Sequence, residues 1–258
     1  MDRRSMESGA GRLVALAASA VLLACAPGPA DIELPPEGVR SVLFIGNSLT
    51  YTNDLPGTLE ALLEEGLGED VHIASEAWPN YGLPDHWDRG RAQEAIRAGG
   101  WDLVVLQQGP SATEGRPYLI EYAERFAEVI LEAGAFPALY MVWPAAARSF
   151  DFDGVLDSYR TAAEQVDGLF FPAGEAWRIA WESDADLPLY GPDGFHPSVL
   201  GTYAAALVMY EQIAGLDARD LPASVTTASG TLAVDPAVAE LLQAAAHEAN
   251  LRHRRRPD

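Results

Sequence analysis

The chain has 258 residues, a formal net charge of -21 from 17 basic and 38 acidic side chains, 48% hydrophobic residues and a single cysteine. That apolar fraction suits a packed globular core and excludes wholesale disorder or a collagen-like repeat, and the length is common for a single α/β domain. Every basic residue is Arg, with no Lys, so the acidic balance counts against nucleic acid as a partner, and one cysteine cannot close an internal disulfide.

The N-terminus reads as an address. Arg3, Arg4 and Arg12 precede an apolar run from Leu13 to Ala24, interrupted by Ser19. About a dozen residues are too few to span a bilayer as a mature helix but suit a signal-peptide core. The run ends in Leu22-Leu23-Ala24-Cys25, which resembles the lipobox of bacterial lipoproteins. That resemblance implies a signal peptide over 1–24, lipidation of Cys25, and an exported protein anchored on the extracytoplasmic side of a bacterial membrane. Residues 25–39, rich in Pro and acid, then form a tether, and 40–258 are expected to form one domain.

From here, β-rich runs alternate with amphipathic segments. Ser41 to Ile45 is an apolar strand, followed by helical spacing from Leu55 to Gly66 with Leu59, Leu62 and Leu63. Val71 to Ala77 is a second strand, and a helical segment runs from about Pro84 to Ala98. Asp102 to Leu106 is a third strand; Tyr118 to Ala133 is a long helix with Tyr122, Phe126 and Ile130 on one face. Phe136 to Val142 is a fourth strand, followed by a helix from about Val155 to Val166. Leu169 to Pro172 is a weak fifth strand, and helices over Ser198 to Ala214 and Pro236 to Asn250 follow. Apolar strands each followed by a helix imply a parallel sheet covered on both faces, with the ligand crevice beyond the carboxyl ends of the strands. The Arg252-His253-Arg254-Arg255-Arg256 tail is most simply a solvated end.

Two loops carry chemistry. Gly46-Asn47-Ser48-Leu49 follows the first strand and places a serine at a strand-to-helix turn, where a hydroxyl is exposed beside helix N-terminal N–H groups. Tyr190-Gly191-Pro192-Asp193-Gly194-Phe195-His196-Pro197 precedes a helix, and Asp three residues before His on a Gly/Pro-bounded turn brings a carboxylate to an imidazole. Alone, each is a cap or a turn; together they supply a nucleophile, a base and an orienting acid. Near them, His86 and Trp78 either line an acyl or sugar pocket or, for His86, pack against Trp87, while Trp143-Pro144 is a pocket wall or core. His72, His247 and His253 receive no role. With no carboxylate or His cluster at ligand spacing, no Cys/His zinc pattern and no Walker-type loop, neither metal nor cofactor is expected.

These motifs resemble the SGNH (GDSL-like) hydrolase superfamily over about Val42 to Ala214. Gly46-Asn47-Ser48-Leu49 is similar to the GDSL block with Asn for Asp, and Asp193-Gly194-Phe195-His196-Pro197 matches the Asp-x-x-His block. The resemblance implies a flavodoxin-like three-layer α/β/α sandwich with a central parallel sheet of about five strands, Ser48 as nucleophile, His196 as base and Asp193 orienting it. It also implies oxyanion donors from the N–H groups of Ser48 and Gly82 and from a side chain in a third block. There the usual Gly-x-Asn-Asp gives way to Gln107-Gln108-Gly109-Pro110-Ser111, so Gln108 is the expected donor, with Gln107 and Ser111 as alternatives. The implied activity is cleavage of carboxylic esters, such as carbohydrate O-acetyl groups or short acyl esters, through an acyl-enzyme. The departure at the third block keeps a second reading open, a non-catalytic glycan- or protein-binding surface lipoprotein. Oligomeric state is not legible.

Overall fold

The computed structural model describes residues 32–253. The signal segment, the lipobox with Cys25, the first part of the tether and Arg254 to Arg256 lie outside the described residues.

Five parallel strands form the sheet in the order β2-β1-β3-β4-β5: β1 (Arg40–Gly46), β2 (Val71–Ala77), β3 (Leu103–Leu106), β4 (Phe136–Tyr140) and β5 (Leu169–Phe171). The expected three-layer α/β/α architecture is the one observed. Strands β1, β3 and β4 lie inside the sheet, and their runs Val42–Ile45, Val104–Leu106 and Ala138–Tyr140 are fully buried, as continuous apolar strands in a two-sided parallel sheet must be. Edge strand β2 carries His72, Ser75 and Glu76 and is mostly half-buried.

A one-turn helix α1 (Ser48–Tyr51) and α2 (Leu55–Leu67) follow β1. The segment read as one helix is two, α3 (Leu83–Arg89) and α4 (Arg91–Ala98), because Gly90 adopts φ +82 between them and ends the first helix in a left-handed cap. These pack with α5 (Arg116–Glu132) and α6 (Phe152–Gln165) on one side of the sheet. The other side holds α2, α7 (Ala173–Ser183), α8 (Val199–Ala214) and α9 (Pro236–His253). A hairpin of β6 (Ser224–Thr227) and β7 (Gly230–Ala233) lies against α2.

Sequence reading missed α7 and the hairpin. Helix α7 begins Ala173-Gly174 directly after Pro172, a run that reads as loop. Its glycine is dictated by approach: a Cβ at Gly174 would lie 2.5 Å from the Val142 carbonyl oxygen. Helix α8 is buried from Gly201 to Tyr210 because α2, α7 and α9 surround it. Gly201 admits the indole of Trp177, whose Cζ2 would stand 2.4 Å from an added Cβ, and its carbonyl accepts the Trp177 Nε1–H at 3.1 Å. Gly201→Ala should therefore lower unfolding free energy by about 1–3 kcal/mol, read as a reduced urea midpoint at unchanged slope.

His86 of α3 is buried beneath the end of β1, where its Nε2–H donates to the Gly46 carbonyl at 2.7 Å. The other ring nitrogen, Nδ1, is buried without a partner among the described residues. Burial holds the imidazole below its usual pKa of about 6.5, so the unfolded chain takes the proton first. The stability tied to neutral His86 is fully present above that value and is lost as pH falls from it through the depressed folded value. His86→Gln should flatten this acid-side slope in urea unfolding below about pH 6.5; an unchanged slope would remove His86 as its source.

Candidate active site

Strand β1 delivers the chain to a turn whose geometry leaves no room for a side chain at Gly46, since a Cβ there would lie 2.4 Å from Thr50 Oγ1 and 2.6 Å from Gln107 Oε1. Buried Gln107 braces the turn. Its Oε1 accepts from Asn47 N–H at 2.9 Å and from the Thr50 hydroxyl at 2.8 Å, and its Nε2 donates to Asn47 Oδ1 at 3.1 Å. Asn47 also caps α1 by accepting from Leu49 N–H at 3.0 Å, and its Nδ2 donates to the Tyr81 carbonyl at 2.9 Å. The one-residue difference from a GDSL block is thus used: an amide donates and accepts at once, which a carboxylate cannot do. Ser48, next in line, opens α1, so its N–H has no acceptor within the helix.

The loop before α8 brings the other two side chains to Ser48. The Ser48 hydroxyl donates to His196 Nε2 at 2.9 Å, and His196 Nδ1–H donates to Asp193 Oδ2 at 2.5 Å. Asp193 Oδ1 accepts the backbone N–H groups of Phe195 and His196, both at 3.0 Å. The hydrogen bond from His196, then those two N–H groups, hold the carboxyl down at a pKa of about 2, so it stays ionised at any working pH.

The loop is itself pinned. Gly191 N–H donates to the His196 carbonyl at 2.7 Å across an antiparallel bridge between Tyr190 and Pro197. Ala146 N–H donates to the Gly194 carbonyl at 2.8 Å, Trp143 Nε1–H to the Phe195 carbonyl at 3.0 Å, and Asn53 Nδ2 to the Pro197 carbonyl at 2.9 Å. Trp143 is stacked on Trp177 with ring centroids 3.5 Å apart. Asn53, Tyr190 and Trp177 are supporting residues that sequence reading did not single out; their residue types carry no signal, and only the left-handed φ of Asn53 marks it in the structure.

Ser48 opens onto a cleft of about 420 Å³ walled by Tyr81, Gly82, Gln108, Ser111, Tyr118 and Phe195 among others. All the residues expected as oxyanion donors are at this cleft or beneath it, but most of their donors are engaged. Gly82 N–H donates to Asp85 Oδ2 at 2.8 Å in a capping box of α3. Gln108 Oε1 accepts from Leu83 N–H at 3.1 Å, which turns its Nε2 toward Ser111 Oγ at 2.7 Å and the Gly115 carbonyl at 3.0 Å. Gln107 is spent on the Ser48 turn, and the Ser111 hydroxyl donates to the Gly109 carbonyl at 2.8 Å.

His86 is part of the support beneath the turn and not of the cleft wall, and Trp87 packs edge-on against Phe126 instead of on His86. Trp78 donates to buried Glu76 at 2.7 Å and lies under the Arg89 guanidinium. Trp143 is core; Pro144 lines a second cavity. Among the described residues one group has metal-ligand spacing, Glu211, Asp217 and His247, which the sequence did not reveal. There His247 pairs with Glu211 at 2.8 Å, joining α9 to α8, and Arg219 grips Asp217 with Nε on Oδ1 at 2.9 Å. His72 and His253 meet the Glu33 carbonyl and Glu175 respectively. No described helix is long and apolar enough to cross a membrane.

No protein-family model matches the sequence, and no curated protein does either. Solved structures do. A protein described as an SGNH hydrolase from Slackia heliotrinireducens is 25% identical, with a TM-score of 0.58 over 67% of this chain and 98% of its own. A DUF4886 family protein from Bacteroides uniformis is 20% identical, with a TM-score of 0.69 over 83% of this chain and 95% of its own. A lipase/acylhydrolase from Enterococcus faecalis is 14% identical, with a TM-score of 0.55 over 69% and 96%. With its parallel five-stranded sheet and a serine turn at the carboxyl end of β1, the chain has the fold of the SGNH-like hydrolases.

Proposed function

We propose that the protein is a serine esterase that cleaves carboxylic esters through an acyl-enzyme. One observation carries this reading: the unbroken hydrogen-bond chain from Ser48 Oγ through His196 to an ionised Asp193, at 2.9 and 2.5 Å. Ser48 attacks the ester carbonyl while His196 Nε2 takes its proton. Asp193 holds the tautomer that leaves Nε2 free and stabilises the imidazolium that forms. His196 then protonates the departing alcohol, and water repeats the sequence on the acyl-enzyme. The Ser48 N–H is the open oxyanion donor; Gly82 N–H and Gln108 Nε2 join it by exchanging Asp85 and Ser111 for the oxyanion. Asn80, Asp85 and Ser111 interrupt the apolar lining given by Tyr81, Tyr118 and Phe195, which suits a short acyl group, such as an O-acetyl on a carbohydrate, better than a long alkyl chain.

The engaged state of Gly82 and Gln108 favours a second reading, a binding protein for glycan or protein on the same frame. Ser48→Ala separates the two. It should lower kcat on p-nitrophenyl acetate by at least about 10⁴-fold without unfolding the protein, and Asp193→Ala by about 10²- to 10⁴-fold with KM little changed. A fluorophosphonate should label Ser48 alone. A folded, unlabelled sample that still binds glycan after His196→Ala would establish the second reading.

The N-terminal pattern supports export and lipid anchoring through Cys25. Expression of the full chain in a bacterium with radiolabelled palmitate should label the protein, and Cys25→Ala should abolish the label and leave it soluble in detergent-free extract. Equal labelling of the variant would overturn the anchor.

A further inference from the structure

A second cavity, about 260 Å³, adjoins the Ser48 cleft and shares with it Pro110, Ser111, Gly115 and Phe195. Its far walls are the β3–α5 loop, with Thr113 and Glu114, and the segment after β4, with Pro144, Arg148 and Asp151. The reaction chemistry says which half of an ester lies toward it. As the tetrahedral intermediate collapses, the bond from carbonyl carbon to alcohol oxygen breaks, and that oxygen takes the proton held on His196 Nε2, so the alcohol lies on the His196 side. Phe195, adjacent to His196, is one of the four residues common to both cavities, and the segment after β4 is bonded to the same loop through Ala146 N–H and the Gly194 carbonyl.

The lining is unsuited to a simple aliphatic alcohol. Arg148 donates through Nε to Asp151 Oδ2 at 2.5 Å, which orients the guanidinium, and its Cζ lies 5.7 Å from the centroid of the Phe150 ring. Opposite in sign, the exposed carboxylate of Glu114 accepts from the Thr113 hydroxyl at 2.6 Å through Oε2. A hydroxyl needs both an acceptor and a donor, and this pair offers both. Two carboxylates more than offset the one guanidinium, so the lining does not attract an anionic leaving group such as a phosphate ester. The apolar part of the lining comes from Pro110, Pro144 and Phe195.

We propose that this cavity is the leaving-group subsite and that Arg148 and Glu114 select a neutral, polyhydroxylated alcohol, a pyranose ring with free hydroxyls. The inference rests on the esterase reading above. The test compares a monoacetylated methyl pyranoside with cyclohexyl acetate, which has the same acyl group and ring size but no ring oxygen or hydroxyls. Wild type should prefer the pyranoside in kcat/KM, and Arg148→Leu should reduce that preference about tenfold or more, Glu114→Gln severalfold. Fluorophosphonate labelling of Ser48 in the same samples keeps the two readings apart. Labelled protein whose preference is unchanged in both variants, or which prefers cyclohexyl acetate, overturns the subsite alone. Unlabelled, inactive protein overturns the esterase and the leaving-group role together.

Discussion

The stack of Trp143 on Trp177 is the contact on which the arrangement of the site depends. Trp143 ends the chain's run out of β4, and Trp177 lies on α7, the helix that fills the space beside β5. Two indoles face to face, both fully buried, fix the distance between sheet and helix through a large, rigid contact area. Each then uses its one polar atom elsewhere: Trp143 on the Phe195 carbonyl, Trp177 on the Gly201 carbonyl of α8. The loop carrying Asp193 and His196 is thereby tied at one end to β4 and at the other to the helix it leads into. Without that tie, the partners of Ser48 would sit on a surface loop 148 residues away in the chain, and nothing local would hold an imidazole 2.9 Å from a hydroxyl.

The turn that carries Ser48 is held by a different device. Three amide-bearing or hydroxyl side chains, Gln107, Asn47 and Thr50, satisfy one another and the backbone around Gly46, while buried His86 takes the Gly46 carbonyl from below. Such a network specifies one geometry because each group left unpaired in a buried setting is costly. The departure at the third block has a physical sense in this setting. Gln107 is structural, and Gln108 spans from α3 to the β3–α5 loop, closing the floor of the cleft. The large negative charge is not concentrated at Ser48 and His196: Asp193 is held ionised by its hydrogen bonds, and acids such as Asp157, Asp151 and Asp153 are paired with Arg.

Much of this was legible beforehand because it depends on local patterns. Apolar runs of strand length separated by helical spacing require a two-sided parallel sheet, and Ser48 and the Asp193-His196 pair stand at loop positions where that sheet puts ligands. The illegible parts have specific causes. Helix α7 opens with Pro-Ala-Gly, and small residues there answer to the backbone of the segment after β4, a constraint that exists only once the two meet. Gly90 reads as a tolerable helix glycine, yet its positive φ makes two helices of one. The use of His86, Asn53 and Tyr190 as supports has no sequence pattern, since each bonds to a carbonyl on a distant segment.

The sequence by itself determined the fold class and the three side chains of the hydrogen-bond chain, because periodicity and short motifs reflect interactions between residues near one another in the chain. Only the tertiary structure decided which hydrogen-bond donors at the cleft are already engaged and that a second, charged cavity adjoins it. Those features arise where β3, β4 and the loop before α8 converge, and the partners of a hydrogen-bonding group across such a junction are set by packing and not by spacing.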